Sequence, residues 1–253
     1  MADKRGWAGL TAVAIIKPAL WAFTRHEWID ADKLPAAGGC VLVANHVSHI
    51  DPLTLAHLLH DNGRFPRYLA KEALFDVFFA GTILKNTGQI PVKRLTTDAS
   101  TAYQAAVDSV RQGNAVMFYP EGTLTRDPEL WPMVGKTGAA RVALESGAPV
   151  IPIAQWGQHR ILYPYGKKLK LFPPQRVVLK VGDPVDLEDL HGQKVTPAVL
   201  REATDRIMAS VTVLLEDLRG EHAPGERFDP KQRGVKQIGN PNKPGAGPSR
   251  KAE

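Results

Sequence analysis

The residues best equipped for chemistry lie in the run Asn45-His46-Val47-Ser48-His49-Ile50-Asp51-Pro52. A histidine and an aspartate so close at a turn are the minimum equipment for taking a proton from an alcohol. The carboxylate accepts from one ring nitrogen and fixes the tautomer, leaving the other nitrogen as base. The same spacing suits a plain helix start, with Asp51 as N-cap and Pro52 as the first helical residue. His49 is a weaker base in the same turn. Ser48 is a candidate nucleophile for ester or thioester hydrolysis, but it lacks the Gly-x-Ser-x-Gly elbow of a serine acyl-enzyme.

Two further segments offer groups for an anionic substrate. Gly88-Gln89-Ile90-Pro91-Val92-Lys93-Arg94 ends in two cations, and the Arg94 guanidinium fork, with Lys93 beside it, matches a phosphate monoester. A solvent-facing basic pair is the alternative. Tyr119-Pro120-Glu121-Gly122-Thr123 puts a carboxylate on a tight loop, where Gly122 permits close backbone approach and Thr123 is a donor. Glu121 also reads as a simple turn residue. Lys136 adds a cation at the start of a later helix, or is merely exposed.

Strands and helices in alternation must position these groups, which is the pattern of an α/β domain. Cys40 to Ala44 is a short buried strand running into the His46 turn, and Pro52 to His60 is a helix rich in leucine. Tyr68 to Ala70 reads as a strand and Glu72 to Lys85 as an apolar helix. Thr97 or Asp98 caps a helix that Gly113 ends, and Ala115 to Phe118 is a buried strand leading into Glu121. Gly138 to Glu145 is a helix stopped by Gly147. Val150 to Ala154 and Arg176 to Val181 are strands, and Pro197 opens a last long helix with an apolar stripe.

Composition narrows the function classes. With 253 residues, 43% of them hydrophobic, the chain can bury a full core. A net charge of +6 and a pI near 9.4 favour anionic partners such as lipid head groups, phosphorylated substrates or nucleic acid. Nucleic acid is disfavoured, because the basic residues are not interleaved with aromatics on one face. The single cysteine, Cys40, excludes an intramolecular disulfide framework and a multi-cysteine metal site.

Residues 7 to 23 are apolar, but Lys17-Pro18 interrupts a run already too short for a clean membrane span. An interfacial helix is expected instead, with Trp7, Trp21, Phe23 and Trp28 at the boundary and Lys4, Arg5, Lys17 and Arg25 towards head groups. A soluble helix packed on the domain is the alternative. From Arg219 the chain turns rich in Gly, Pro, Lys and Arg, and a disordered basic tail is expected.

In order and register, residues 45–52, 88–94, 118–123 and Val150-Ile151-Pro152-Ile153 resemble the four blocks of the 1-acylglycerol-3-phosphate acyltransferase family. The resemblance covers about residues 40–155 and implies a mixed, largely parallel sheet flanked by helices, with an N-terminal interfacial segment. With the readings of the two ends, the expected organisation is an interface helix at 1–25, an acyltransferase domain at 26–218 and the tail at 219–253.

The resemblance further implies a peripheral or monotopic protein on the cytoplasmic membrane face, acylating a lysophospholipid from acyl-CoA or acyl carrier protein with no cofactor and no metal. His46 and Asp51 carry over as base and orienter. Arg94 with Lys93, and Glu121, Gly122 and Thr123, carry over as the glycerol phosphate site, and Pro152 as lining of the site or acyl channel. Family members commonly have arginine directly after Glu-Gly-Thr, where this chain has Leu124-Thr125-Arg126. Arg126 then replaces it, or the phosphate rests on Arg94 and Lys136. Another lysophospholipid or an acylated glycolipid is compatible with that departure.

Overall fold

The computed structural model describes residues 7–92, 99–236 and 239–241. Lys4, Arg5, Lys93, Arg94, Thr97 and Asp98 lie outside the described residues. In chain order the elements are α1 (Trp7–Phe23), β1 (Thr24–Ile29), β2 (Cys40–Ala44), α2 (Asp51–Asp61), β3 (Pro66–Lys71), α3 (Phe78–Asn86) and β4 (Ile90–Val92). There follow α4 (Ala99–Arg111), β5 (Ala115–Phe118), α5 (Gly138–Ser146), β6 (Val150–Trp156), α6 (Gln158–Ile161), β7 (Gln175–Val181) and α7 (Pro197–Arg219).

The strands form one seven-stranded sheet in the order β1-β7-β6-β2-β5-β3-β4. Every pairing is parallel except β6 with β7. A sheet of this kind is covered on both faces, so its central strands read as continuous apolar runs. Strand β2 is buried at all five positions, and its pleat divides them. Val41 and Val43 pack with the apolar faces of α4, α5 and α7, whereas Cys40, Leu42 and Ala44 pack with Leu55, Leu58 and Leu59 of α2. Full burial of one such leucine contributes about 1.5–3 kcal/mol, so α2 is pinned to the sheet by the face that also fixes where it begins.

Local chemistry sets the ends of the elements. The Thr196 hydroxyl accepts from the Val199 N–H at the start of α7, and Gly220, at φ 65°, ends it. The expected helix from Glu72 to Lys85 is broken. Glu72–Leu74 is a 3-10 turn and α3 begins only at Phe78. The two pieces cross closely, since a Cβ on Gly81 would lie 2.1 Å from the Phe75 carbonyl oxygen.

Three further expectations change. Helix α1 ends at Phe23, so the boundary placed after residue 25 falls inside β1. Trp28 does not face outward but donates its indole N–H to Asp61, which also holds Lys17 at 2.7 Å. The segment after α7 is not a loose tail over residues 220–236. The Val134 N–H donates to the Phe228 carbonyl, and the Ala223 N–H donates to the Glu216 carboxylate at 2.8 Å. Among the described residues, no helix is long and apolar enough to cross a membrane.

Candidate active site

The parallel neighbours β2 and β5 end side by side, and the loops leaving their carboxyl ends carry His46 and Glu121. Ligands of open α/β sheets bind at such edges. His46 Nδ1 lies 2.9 Å from Asp51 Oδ2, and the same oxygen accepts the N–H groups of Val47 at 2.7 Å and Ser48 at 2.8 Å. Asp51 is fully buried, while the His46 side chain keeps 15% exposure. Burial raises the Asp51 pKa, and the hydrogen bonds from His46, Ser48 and Val47 work against that shift. The carboxylate therefore acts through directed hydrogen bonds: Nδ1–H donates to it, and Nε2 is left as proton acceptor.

Sequence reasoning placed Asp51 at the helix cap, and the structure corrects this. Ile50 is the N-cap, and Asp51 is the first residue of α2 with its carboxylate turned back onto the turn. The N–H groups of Val47 and Ser48 are spent on Asp51, so they are not free to stabilise an oxyanion. Ser48 is fully buried, donates its hydroxyl to the Leu162 carbonyl at 2.7 Å and accepts from the Ile50 N–H. That hydroxyl is structural, which removes the candidate nucleophile.

The second loop clamps the first. Glu121 accepts the His46 N–H on Oε1 at 2.9 Å and the Met133 N–H on Oε2 at 3.0 Å. The His46 carbonyl accepts from the Thr125 N–H at 2.7 Å. Tyr119 stacks on the imidazole, with ring centroids 4.0 Å apart and planes 15° from parallel. Glu121 is 3% exposed, and burial pushes its pKa up to about 8. The reading of Glu121 as a phosphate contact is thus corrected: both oxygens hold backbone, and its work is to position His46.

The remaining predicted residues divide. Gly122 takes φ +72°, and a Cβ there would lie 2.8 Å from Lys136 Nζ, so the exposed Lys136 side chain crosses directly over the glycine. The Thr123 hydroxyl pairs with the Tyr165 hydroxyl at 3.0 Å, and Tyr165 O–H also reaches the Leu124 carbonyl at 2.9 Å. Arg126 lies 5.7 Å from the Tyr165 ring centroid and donates through Nη2 to the Gly239 carbonyl. Among the described residues, its buried Nε and Nη1 have no hydrogen-bond partner. Leu124 itself is 2% exposed. Pro152 is buried in β6, beside Gly182 and the Leu214 side chain.

Several functional residues escaped sequence reasoning. Asn45 and Gln155 exchange three hydrogen bonds beneath the His46 turn: Asn45 Nδ2 to the Gln155 carbonyl, the Gln155 N–H to Asn45 Oδ1, and Gln155 Nε2 to the Asn45 carbonyl. Gln158 extends the network to the Thr54 hydroxyl of α2 at 3.0 Å. A glutamine inside the apolar run Val150–Trp156 was the available signal. Tyr165, a non-glycine residue at φ 59°, gave none.

The family model described as "Acyltransferase" matches residues 25–156. The chloroplastic 1-acyl-sn-glycerol-3-phosphate acyltransferase BAT2 of Brassica napus is 30% identical over 146 residues, covering 57% of this chain and 41% of that protein. A Bacillus subtilis 1-acyl-sn-glycerol-3-phosphate acyltransferase is 29% identical over 163 residues, covering 63% of this chain and 73% of that protein. The chain spans about half the length of the chloroplastic relatives it matches, 41% of BAT2 and 51% of Arabidopsis thaliana LPAT1. Among solved structures, the 1-acyl-sn-glycerophosphate acyltransferase PlsC of Thermotoga maritima superposes with a TM-score of 0.66 at 23% identity, over 88% of this chain and 86% of that one.

Proposed function

Because this chain belongs to the acyltransferase family, we propose that it transfers a fatty acyl group from acyl-CoA or acyl carrier protein to the free hydroxyl of 1-acylglycerol 3-phosphate, forming phosphatidic acid in phospholipid synthesis. The observation that carries the reading is the His46–Asp51 pair, with Nδ1 held at 2.9 Å by a buried carboxylate that two N–H groups fix in place. His46 Nε2 takes the hydroxyl proton as the alkoxide oxygen attacks the thioester carbonyl. The tetrahedral intermediate collapses by breaking the C–S bond, and the imidazolium returns the proton to the departing thiolate. Asp51 stabilises the imidazolium between these steps. Much of the rate advantage then rests on holding the two substrates in line.

The acceptor phosphate is assigned to Arg126 and Lys136, with Arg94 and Lys93 completing the set. The Nε and Nη1 of Arg126, without a partner among the described residues, are donors that a phosphate would satisfy. One observation favours a second acceptor class. Leu124 occupies the position where the family commonly has arginine, is buried, and is tied to Tyr165 through its carbonyl. Another lysophospholipid or an acylated glycolipid would tolerate that shift of charge. The membrane face is assigned to α1, which exposes Trp7 by 61% and Trp21 by 65%, along with Leu10 and Ile15. Peripheral attachment at the cytoplasmic face is the localisation proposed with it.

An acceptor panel tests the reading. Lysophosphatidate, other lysophospholipids, glycerol 3-phosphate and acylated glycolipids would be supplied in turn with radiolabelled acyl-CoA. Lysophosphatidate as the dominant acceptor supports the proposal; dominance of a glycolipid selects the second class, and thioester loss without any acceptor contradicts both.

A further inference from the structure

A cavity of about 620 Å³ opens between α6, the loop that follows it and the first residue of β7, and neither His46 nor Asp51 lines it. Its lining includes Arg160, Lys167, Lys168 and Lys170, with the Tyr163 and Phe172 rings, and no acidic side chain among the described residues. The volume falls within the range of small-molecule sites, roughly 300–1,000 Å³. Cations concentrated in a concavity focus a positive field, and Tyr163 and Phe172 are large rings left 54% and 75% exposed among them.

The cavity wall is built into the catalytic site. Residues 162–170 form a hairpin-like loop, closed by a Leu162–Leu169 bridge, the Lys170 N–H on the Ile161 carbonyl and a turn from Gly166 N–H to the Tyr163 carbonyl. Leu162 accepts the Ser48 hydroxyl of the His46 turn. Tyr165, held in the left-handed region at φ 59°, puts its hydroxyl on Thr123 and Leu124. A β-carbon residue at that φ is strained, and the strain is held by bonds to the loop that follows β5. One short segment thus joins both catalytic loops on one side and turns its cations into the cavity on the other.

We propose that this cavity seats the 3′-phosphoadenosine diphosphate end of acyl-CoA, with the pantetheine arm running past the 162–165 segment towards His46. This rests on the acyl-transfer reading and names its donor. Phosphates meet Arg160 and the three lysines, and the adenine has Tyr163 and Phe172 to stack on. Concavity favours a nucleotide over a carrier protein, whose acidic surface would need a broad cationic face. Several phosphate contacts with stacking match the affinity range of a soluble co-substrate.

The test is titration of the full chain with CoA and dephospho-CoA by calorimetry, repeated on the Lys167→Ala/Lys168→Ala/Lys170→Ala variant. These lysines are exposed, so the fold should survive their loss. CoA affinity should fall by about 30-fold in the variant, at roughly tenfold for each 1.4 kcal/mol lost. Dephospho-CoA should bind the wild type more weakly than CoA does. The Michaelis constant for acyl-CoA should rise in parallel, with kcat and the acceptor constant moving less than about twofold.

Unchanged CoA affinity in the variant, or no CoA binding to the wild type, overturns the proposal. If only binding to phosphatidylglycerol vesicles falls, the cations serve a lipid surface; if only the constant for acyl carrier protein rises, they dock the carrier. Either result also overturns it. Binding needs no turnover, so the two readings separate. CoA bound here without acyl transfer refutes the function and keeps the cavity, whereas transfer from acyl-CoA with an unshifted variant does the reverse.

Discussion

Two buried carboxylates stand at the ends of neighbouring parallel strands, and they do different work. Asp51 shares one oxygen among an imidazole and two N–H groups, and Glu121 gives both oxygens to backbone N–H groups alone. Burial is nearly equal, at 0% and 3% exposure. What separates them is the partner: a carboxylate takes part in proton transfer only when it faces a group that changes its charge during the reaction. Glu121 acts at a distance of one residue, by holding the backbone of the histidine that Asp51 orients.

Breaking that distinction should start with Asp51→Asn. The amide cannot hold the tautomer or stabilise the imidazolium, so kcat should fall by about 10²–10⁴-fold, while circular dichroism stays native. Loss of the fold in step with activity would make Asp51 a structural residue like Glu121.

Glu121→Gln should act on stability and its pH dependence. Burial lifts the Glu121 pKa from 4.5 to about 8, so the folded state binds its proton more tightly than the unfolded chain. That contribution is fully present below pH 4.5 and is lost as pH rises towards 8. Chemical denaturation from pH 5 to 8 should show wild-type stability declining, with a flatter profile in Glu121→Gln. An identical slope in both would show that Glu121 is ionised in the folded state.

Ser48→Ala should have the smallest effect. Loss of one buried hydroxyl between Leu162 and Ile50 should cost about 1–3 kcal/mol of stability, with acyl transfer kept within about threefold. Abolished turnover in a folded Ser48→Ala protein would restore the serine-nucleophile reading.

The same contrast explains what was legible in the sequence. His46 and Asp51 are separated by one turn between a buried strand and a leucine-rich helix, so local pattern sufficed to pair them. The sheet was legible for the same reason, through short apolar runs bounded by glycine and proline. Glu121 was misread because its partners are 75 and 12 residues away in the chain, and nothing local distinguishes a carboxylate that binds phosphate from one that binds backbone. Asn45 and Gln155 meet across 110 residues. The packing of residues 220–236 was hidden by composition: Gly, Pro and charge read as disorder, yet the Ala223 N–H donates to Glu216 and the Phe228 carbonyl accepts from Val134.

The central claim is that His46 is the general base of an acyl transfer. Its most direct test is the rate of labelled acyl transfer from acyl-CoA to lysophosphatidate by purified His46→Ala, beside the wild type and with circular dichroism on both. The account predicts a native spectrum and a rate lowered by at least about 10²-fold. A folded His46→Ala protein that transfers acyl groups at the wild-type rate would contradict it.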